Sequence, residues 1–425
     1  MKKRVVVFAI ATIIQFLTSD CFAQRQIEFI PRIAVGETYD DNIFLDDTNE
    51  QSDYITTVAL PLTLNVLSEY SKLSIKYTPS YAWYSEFSEN NTWRHAGTVS
   101  WDQKLTEYVR LGLSDTYINS EDPFDDFSDV DAQRTTRNKY WVNLGRANLS
   151  YVFGPENSIE AGYYRRDRES SDPDYNDSTD QRPYASLTYW FNMKHGMRLD
   201  YTYTDVELSL DDDYTGHAPG LRYLYRLRPQ SIAYVGTTYT TRDFAGDEED
   251  YDVRNGFVGL DHAFSPEYSV RAEAGYFIKV PEISDKSYGP NCAIDLSRVF
   301  SRGSITIGAS AGWDENNLRR SDRFGGQAGG FEQYYGGSLS GSYKILENLD
   351  AFAGASYRWS KDDLDFEEDN FRVNCGLRWD FMRWFSLSLE YQYRDRNSDD
   401  PDDTYSYNRV MLSLRASKPE KLQMK

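Results

Sequence analysis

From about residue 25 onward, side-chain character switches every second residue through some twenty segments, and the connections between them alternate between short and long. Leu73-Ser74-Ile75-Lys76-Tyr77-Thr78-Pro79-Ser80-Tyr81-Ala82-Trp83 is one such segment, apolar or aromatic at odd positions and mostly polar at even ones. A strand sends successive side chains to opposite faces, so the segment has one oily face and one wet face. Its length suits a tilted strand crossing a bilayer. The second segment, Tyr54 to Leu67, places Val58, Leu60, Leu62, Leu64 and Val66 on one face.

Gly, Pro, Asn and Ser clusters of the kind that close hairpins mark the short connections, as at Gly154-Pro155-Glu156-Asn157 and Arg228-Pro229-Gln230. Between them lie longer, mostly Asp-rich connections, such as Ser120 to Asn138, Glu169 to Asp180, Asp243 to Asp252, Asp314 to Gly330 and Asp395 to Asp403. Short turns on one rim and long loops on the other predict an all-β, up-and-down antiparallel transmembrane barrel of about twenty strands, or eighteen if one weak hairpin is discounted. The short turns belong on the periplasmic side and the acidic loops outside. The alternation is weakest in the first strand and around Asn291 to Phe300. A propeller or β-solenoid also uses many strands, but neither predicts alternating loop lengths or an apolar face on every strand.

Lys2, Lys3 and Arg4, the apolar run Val5 to Leu17, and Cys21-Phe22-Ala23 read as a secretory signal over residues 1–23, cleaved before Gln24. The barrel is expected over 24–417, with no separate domain ahead of it and a short tail over 418–425. The mean hydropathy of −0.67 resembles that of a soluble protein, but a barrel strand averages two opposed faces to a polar mean. The aromatic content of 15%, with 34 Tyr, argues against an acidic disordered chain and suits membrane-water interfaces. The net charge is −21, so a basic nucleic-acid-binding surface is not expected. Cys292 and Cys375 fall on separate strands and read as small wall residues rather than a disulfide.

The oily face defines the other by elimination. Phe385, Leu387, Leu389, Tyr391 and Tyr393 point to lipid, which turns Ser386, Ser388, Glu390, Gln392 and Arg394 inward. A charge on the lipid face at mid-depth costs about 2–4 kcal/mol, which constrains the assignment. Applied along the chain, the rule gives an inward basic set: Lys72, Lys76, Arg110, Arg166, Arg198, Arg222, Arg226, Arg271, Arg358, Arg372, Arg378, Arg394 and Arg415. The inward acids read the same way are Asp102, Glu160, Asp200, Glu273, Asp380 and Glu390. Base therefore gathers on the inner wall although acids outnumber bases in the whole chain, 67 to 46. Guanidinium forks grip carboxylate, sulfate or phosphate, so the set reads as a path for anions. The same residues can instead pair in ladders that brace the wall. Inward Tyr84, Tyr164 and Phe277 read as wall filling rather than as stacking faces for sugars.

Seven acids lie between Glu37 and Asp53 and six between Glu121 and Asp131. Asp172-Pro173-Asp174-Tyr175-Asn176 opens like a calcium loop, but Asp177 stands where glycine is needed and Pro183 where glutamate is needed. A solvated loop, or one bridged loosely to lipopolysaccharide by divalent ions, is the favoured reading, and no metal or other cofactor is assigned. His95, His195, His217 and His262 show no catalytic or metal-ligand spacing, and no nucleophile motif is present, so an enzyme is not expected.

Glu37-Thr38-Tyr39-Asp40-Asp41-Asn42-Ile43-Phe44 closes the first strand, and Leu113-Ser114-Asp115-Thr116-Tyr117 runs into an Asp122-Pro123 loop. With the strand rhythm, these resemble the β-barrel porin 2 family of Gram-negative outer-membrane proteins across essentially the whole mature chain. The resemblance implies association with exopolysaccharide synthesis and export systems, and no catalytic residues. Barrels of this kind usually end on an aromatic residue that the assembly machinery reads, whereas here Asn408 to Ala416 is followed by a basic tail. The expected function is passage of an anionic exopolysaccharide or related solute across the outer membrane, driven by a periplasmic or inner-membrane partner. A diffusion porin for small anions and a non-transporting surface adhesin are the alternatives.

Overall fold

A computed structural model describes residues 25–125, 137–173, 175–315, 331–363, 365–399, 403–418 and 420–424, with side chains as far as Lys418. The expected secretory signal and the connecting stretches 126–136 and 316–330 lie outside the described residues. The strands are β1 (Arg25–Asp40), β2 (Asp53–Ala59), β3 (Leu62–Leu67), β4 (Ser71–Tyr84), β5 (Thr92–Lys104), β6 (Val109–Ser120), β7 (Tyr140–Val152), β8 (Ser158–Ser170), β9 (Ser178–Trp190), β10 (His195–Leu208) and β11 (Tyr214–Arg228). They continue with β12 (Ser231–Phe244), β13 (Tyr251–Ser265), β14 (Tyr268–Pro281), β15 (Ser287–Phe300), β16 (Gly303–Glu315), β17 (Phe331–Leu346), β18 (Leu349–Asp362), β19 (Glu367–Met382), β20 (Phe385–Ser398), β21 (Tyr405–Ser417) and β22 (Glu420–Met424).

From β4 to β21 each strand pairs antiparallel with the next in the chain, and β21 pairs with β1 from Arg32↔Ser417 to Asp40↔Arg409, which closes the sheet on itself. The 22 segments fill twenty wall positions. β2 and β3 are two halves of one strand, both facing β1 and β4, and β22 continues the line of β21 along the start of β1. The interruption at Leu60-Pro61 has a local cause: proline has no N–H for the ladder, so the strand predicted as continuous from Tyr54 to Leu67 breaks there. The expected tail is likewise not wholly separate from the wall, because Glu420–Met424 pairs with Arg25–Phe29. Register shifts fall next to the short turns, at Arg226/Arg228, Ala263/Ser265, Lys344/Leu346 and Trp379/Met382, where an extra residue helps the chain reverse.

The alternation read from sequence sets the two faces. Val35, Leu60, Leu199, Leu221, Val258, Ile307, Leu339, Leu389 and Leu412 stand exposed on the outside. Aromatic rings meet in belts near both rims. Tyr189 packs edge-on against Phe191 at 5.3 Å and Trp379 lies 5.4 Å from Phe381 near the short-turn rim. Tyr39–Tyr54 at 5.1 Å and Tyr81–Trp93 at 5.2 Å lie toward the long-loop rim. All four histidines accept or donate a hydrogen bond to a hydroxyl, His95 to Tyr77, His195 to Tyr223, His217 to Tyr201 and His262 to Ser231. Cys292 and Cys375 are free thiols. On the inner face, small residues make room for rings: the Tyr234 ring lies across Gly259, so close that a Cβ there would meet it at 2.2 Å.

Candidate functional site

The long-loop mouth is where chain segments far apart in sequence come together. Asp40 ends β1, Arg94 points inward from β5, Arg409 points inward from β21, and the β6–β7 connection brings Glu121, Asp122 and Arg137 between them. Arg137 donates to Asp40 at 3.1 Å, to the Ile43 carbonyl at 2.7 Å and to the Tyr84 hydroxyl at 3.0 Å. Arg409 donates to Asp122 at 2.8 Å and lies 3.4 Å from Asp40. Arg94 grips Glu121 through Nε at 2.9 and 3.1 Å, and Tyr84 donates to the same carboxylate at 2.7 Å. The side chains of Arg137, Asp40 and Asp122 are 1%, 0% and 2% exposed, so these are charge pairs out of reach of bulk water. Burial alone would lift the Asp122 pKa. The pull of Arg409, Arg137 and Arg94 outweighs it and holds the carboxyl far below the usual carboxylate range. Asp125 lacks that balance: burial and the charge of Asp122 raise its pKa.

The first long loop folds over the same place. Ile43 and Leu45 are buried, and Leu45 packs with the inward rings of Tyr405 and Tyr407. Leu45 holds a φ of 58°, a left-handed conformation that costs a leucine about 1–2 kcal/mol. Asn42 fixes the bend by donating to the carbonyls of Asp46 and Ser406. Asp41 accepts from the Asn408 backbone at 2.6 Å and its side chain at 2.7 Å. The Tyr39 to Phe44 stretch thus staples the closing seam of the barrel and anchors the inward loop. The Asp122-Pro123 loop, singled out with it in the sequence, is its ionic partner.

Two further groups reach in at the mouth. On the β12–β17 side, Phe331 and Phe277 sit 6.0 Å apart among Tyr251, Val253, Phe244 and Trp313. The β15–β16 ladder stops at Cys292↔Ala311, since Pro290 cannot extend it, and the top of the β16–β17 hairpin turns inward. There Glu315 accepts from Arg242 of β12, a contact that skips three intervening strands and so lies across the lumen. Lys279 Nζ lies 4.4 Å from both the Tyr251 and Phe331 rings and pairs with Asp363. From the β8–β9 connection, buried Tyr175 approaches Arg396 of β20, which also pairs with Glu368 at 2.9 Å.

Strand register puts the thirteen bases expected in the lumen on the inner face, but they do not form one uniform path. Six have carboxylate partners: Arg166 with Asp180, Arg198 with Asp200, Arg226 with Glu156, Arg271 with Asp261, Arg358 with Glu332, and Arg378 with Asp380. Arg372 and Arg394 both donate to Asn370 at 3.2 Å, and Arg394 is 1% exposed, a bracing residue rather than an open one. Arg222 stacks over Tyr234 and Phe257. Lys72, Lys76, Arg110 and Arg415 are exposed to the lumen, with no carboxylate within ion-pair distance among the described residues. Lys72, Arg110 and Arg415 stand near the short-turn rim, and Arg415 feels the charges of Arg378 and Arg32. Higher on the wall, Arg358 and Arg372 line a recess of about 260 Å³ floored by Gly308, Ser310, Gly336 and Ser338.

Inward acids beyond the expected six include Asp180, Asp261, Asp295, Glu332 and Glu368, which is why so many of the arginines are paired. The bases that organise the mouth, Arg94, Arg137, Arg242, Lys279, Arg396 and Arg409, were not in the expected set. All but Arg137 obey the same two-residue alternation and follow from it once each strand is extended by one turn of its pattern. Arg137 lies in a connection, where no periodicity points to it. Of the rings, Phe277 is buried as wall filling, as expected, and Tyr84 is buried too but also carries a hydroxyl in the ionic network.

No family model and no curated protein matches the chain. Solved structures do. The FrpB iron transporter from Neisseria meningitidis aligns at 10% identity, covering 95% of this chain and 84% of that one, with a TM-score of 0.57. The alcaligin outer-membrane receptor FauA from Bordetella pertussis aligns at 13% identity, covering 92% and 76%, with a TM-score of 0.51. The fold is that of an outer-membrane β-barrel. Within that barrel fold, this chain carries the features just described: open bases near the short-turn rim and loops folded into the mouth.

Proposed function

We propose that the chain is a porin-like channel of the bacterial outer membrane that passes an anionic solute, with an anionic exopolysaccharide as its cargo. The observation that carries this reading is the position of the unneutralised bases. Lys72 of β4, Arg110 of β6 and Arg415 of β21, with Arg32 and the Asp380-paired Arg378 beside Arg415, line one side of the short-turn end of the lumen, the periplasmic end of such a barrel. Anions are gathered there and meet further guanidinium groups at Arg358 and Arg372. The loops at the opposite end are acidic and repel anions approaching from outside, which favours export over uptake. The resemblance to the β-barrel porin 2 family supports the polysaccharide cargo, and a periplasmic export machine is the partner that drives it. Planar-bilayer recordings test the charge reading. The wild-type channel is expected to prefer anions, and the triple variant Lys72→Glu, Arg110→Glu, Arg415→Glu to prefer cations; an unchanged preference overturns it. A general porin for small anions shares this signature and is separated from the export reading by whether deletion abolishes polymer secretion.

A second reading, a closed surface barrel that transports nothing, is favoured by the buried ionic network across the mouth. Liposome swelling separates the two, because a closed barrel admits no small sugar.

A further inference from the structure

The height of the oily outer band is uneven. On β18, the outward residues Leu349, Ala351, Ala353, Ala355, Tyr357 and Trp359 precede the first charge, Lys361. On β19, Trp379, Leu377, Cys375, Val373 and Phe371 precede Asp369. On β6 the run is only Val109, Leu111 and Leu113 before Asp115, and on β8 only Ile159, Ala161 and Tyr163 before Arg165. Two residues along a tilted strand rise about 5 Å, so Asp115 stands about 15 Å above Val109, whereas Lys361 stands about 30 Å above Leu349. The oily band of such a barrel is about 25 Å tall. Asp115 therefore sits at acyl-chain depth, on the outside.

The polar groups here form one organised patch. Asn143 donates to both Asp115 oxygens at 3.1 and 3.2 Å, and no base pairs with Asp115 among the described residues. Arg165 binds Asp167 through two bonds of 2.8 Å, Thr179 donates to Asp167 at 3.0 Å, and Tyr163 donates to Gln181 at 2.6 Å. Gly145 lies in register between Asp115 and Arg165, and the outward residues below are Ala147, Ala161 and Ala185, so the wall is flat and low. Small residues and hydrogen-bonding side chains on a lipid-depth surface are the ingredients of protein contact within a membrane.

We propose that two copies of this chain pair through the β6–β9 sector, with Asp115 of each copy facing Arg165 of the other. The patch carries both an unneutralised carboxylate and a guanidinium with donors to spare. A twofold axis near Gly145 therefore satisfies each with the other and needs no second surface. Pairing also replaces lipid with protein where the oily band is shortest, whichever solute the lumen passes.

Charge reversal tests this. Native mass spectrometry of wild-type protein in mild detergent is expected to show a dimer. Asp115→Arg and Arg165→Asp singly should shift it at least tenfold toward monomer, and the double reversal should restore the dimer. Heat-modifiable gel migration checks that every variant remains a folded barrel. In native outer membranes, Gly145→Cys in a Cys292→Ser, Cys375→Ser background should cross-link on oxidation, while Ala353→Cys on the opposite wall should not. A monomeric wild type, a dimer indifferent to Asp115→Arg, or equal cross-linking at both positions overturns the proposal.

Discussion

A single buried arginine carries much of the mouth. Arg137 joins the β6–β7 connection to Asp40 at the end of β1, Ile43 in the first long loop and Tyr84 of β4, and it lies 3.7 Å from Asp122 of its own connection. Removing one member of such a buried network leaves its partners charged and dry, which costs about 3–5 kcal/mol. Arg137→Ala should therefore release the connection while the wall persists, and single-channel recordings should show a larger, noisier conductance. The Arg409–Asp122 pair of the ionic lock should survive acid. Asp122 has its pKa lowered by the arginines, so its contribution is complete above the ordinary carboxylate value and is lost only as pH falls through the depressed one. Glu248 behaves in the opposite sense. Burial and the nearby charges of Asp211 and Asp212 push it up to about 8 from 4.5. Its folded-state pKa is raised, so the loop loses stability as pH rises between these values. Amide exchange over residues 245–250, relative to the intrinsic rates, should accelerate progressively from about pH 4.5 to about 8 and level off above, and Glu248→Gln should flatten that profile.

At the scale of the strand and hairpin, the inward turn of β16–β17 is the least ordinary element. Trp313 stacks on Phe331 at 5.5 Å, and Phe331 packs edge-on against Tyr251 and Phe277. Truncating a buried phenylalanine costs about 3–5 kcal/mol. Phe331→Ala is expected to loosen the hairpin top and change the fluorescence of Trp313, with the rest of the barrel spectrum unchanged. How much was legible beforehand follows from the same physics. The wall was readable because a membrane strand repeats its two-faced pattern over its whole length, so the strand count, the lipid face of β20 and the inward place of Arg358 all follow from parity. Parity says nothing of where a strand stops pairing. The break at Leu60-Pro61 and the early end of the β15–β16 ladder depended on a missing proline N–H and on space inside the barrel. The folded-in loops were less legible still. The six acids between Glu121 and Asp131 looked like a solvated run, yet Glu121 and Asp122 find arginines from β5 and β21, partners that become neighbours only when the cylinder closes.

The whole molecule separates its charges by place, and the two kinds of site should respond differently to salt. Lys72, Lys76, Arg110 and Arg415 face the water of the lumen. Their attraction for an anion acts through electrolyte and is screened over about 10 Å at 0.1 M and about 3 Å at 1 M. The Arg137–Asp40 and Arg409–Asp122 pairs are dry, and mobile ions do not enter between them. Raising potassium chloride from 0.1 to 1 M across a planar bilayer should therefore bring the anion-to-cation permeability ratio of the wild type down toward the ratio of the free ions' mobilities. The same change should leave the pattern of open and blocked levels set by the mouth unaltered. Arg137→Ala should behave oppositely, with its levels altered at both concentrations and its salt-dependent selectivity intact, because the bases that gather anions lie near the other rim. If selectivity survives 1 M salt undiminished, the anion preference resides in buried groups of the mouth rather than in the open bases, and the entry of anions at the short-turn rim loses its physical basis.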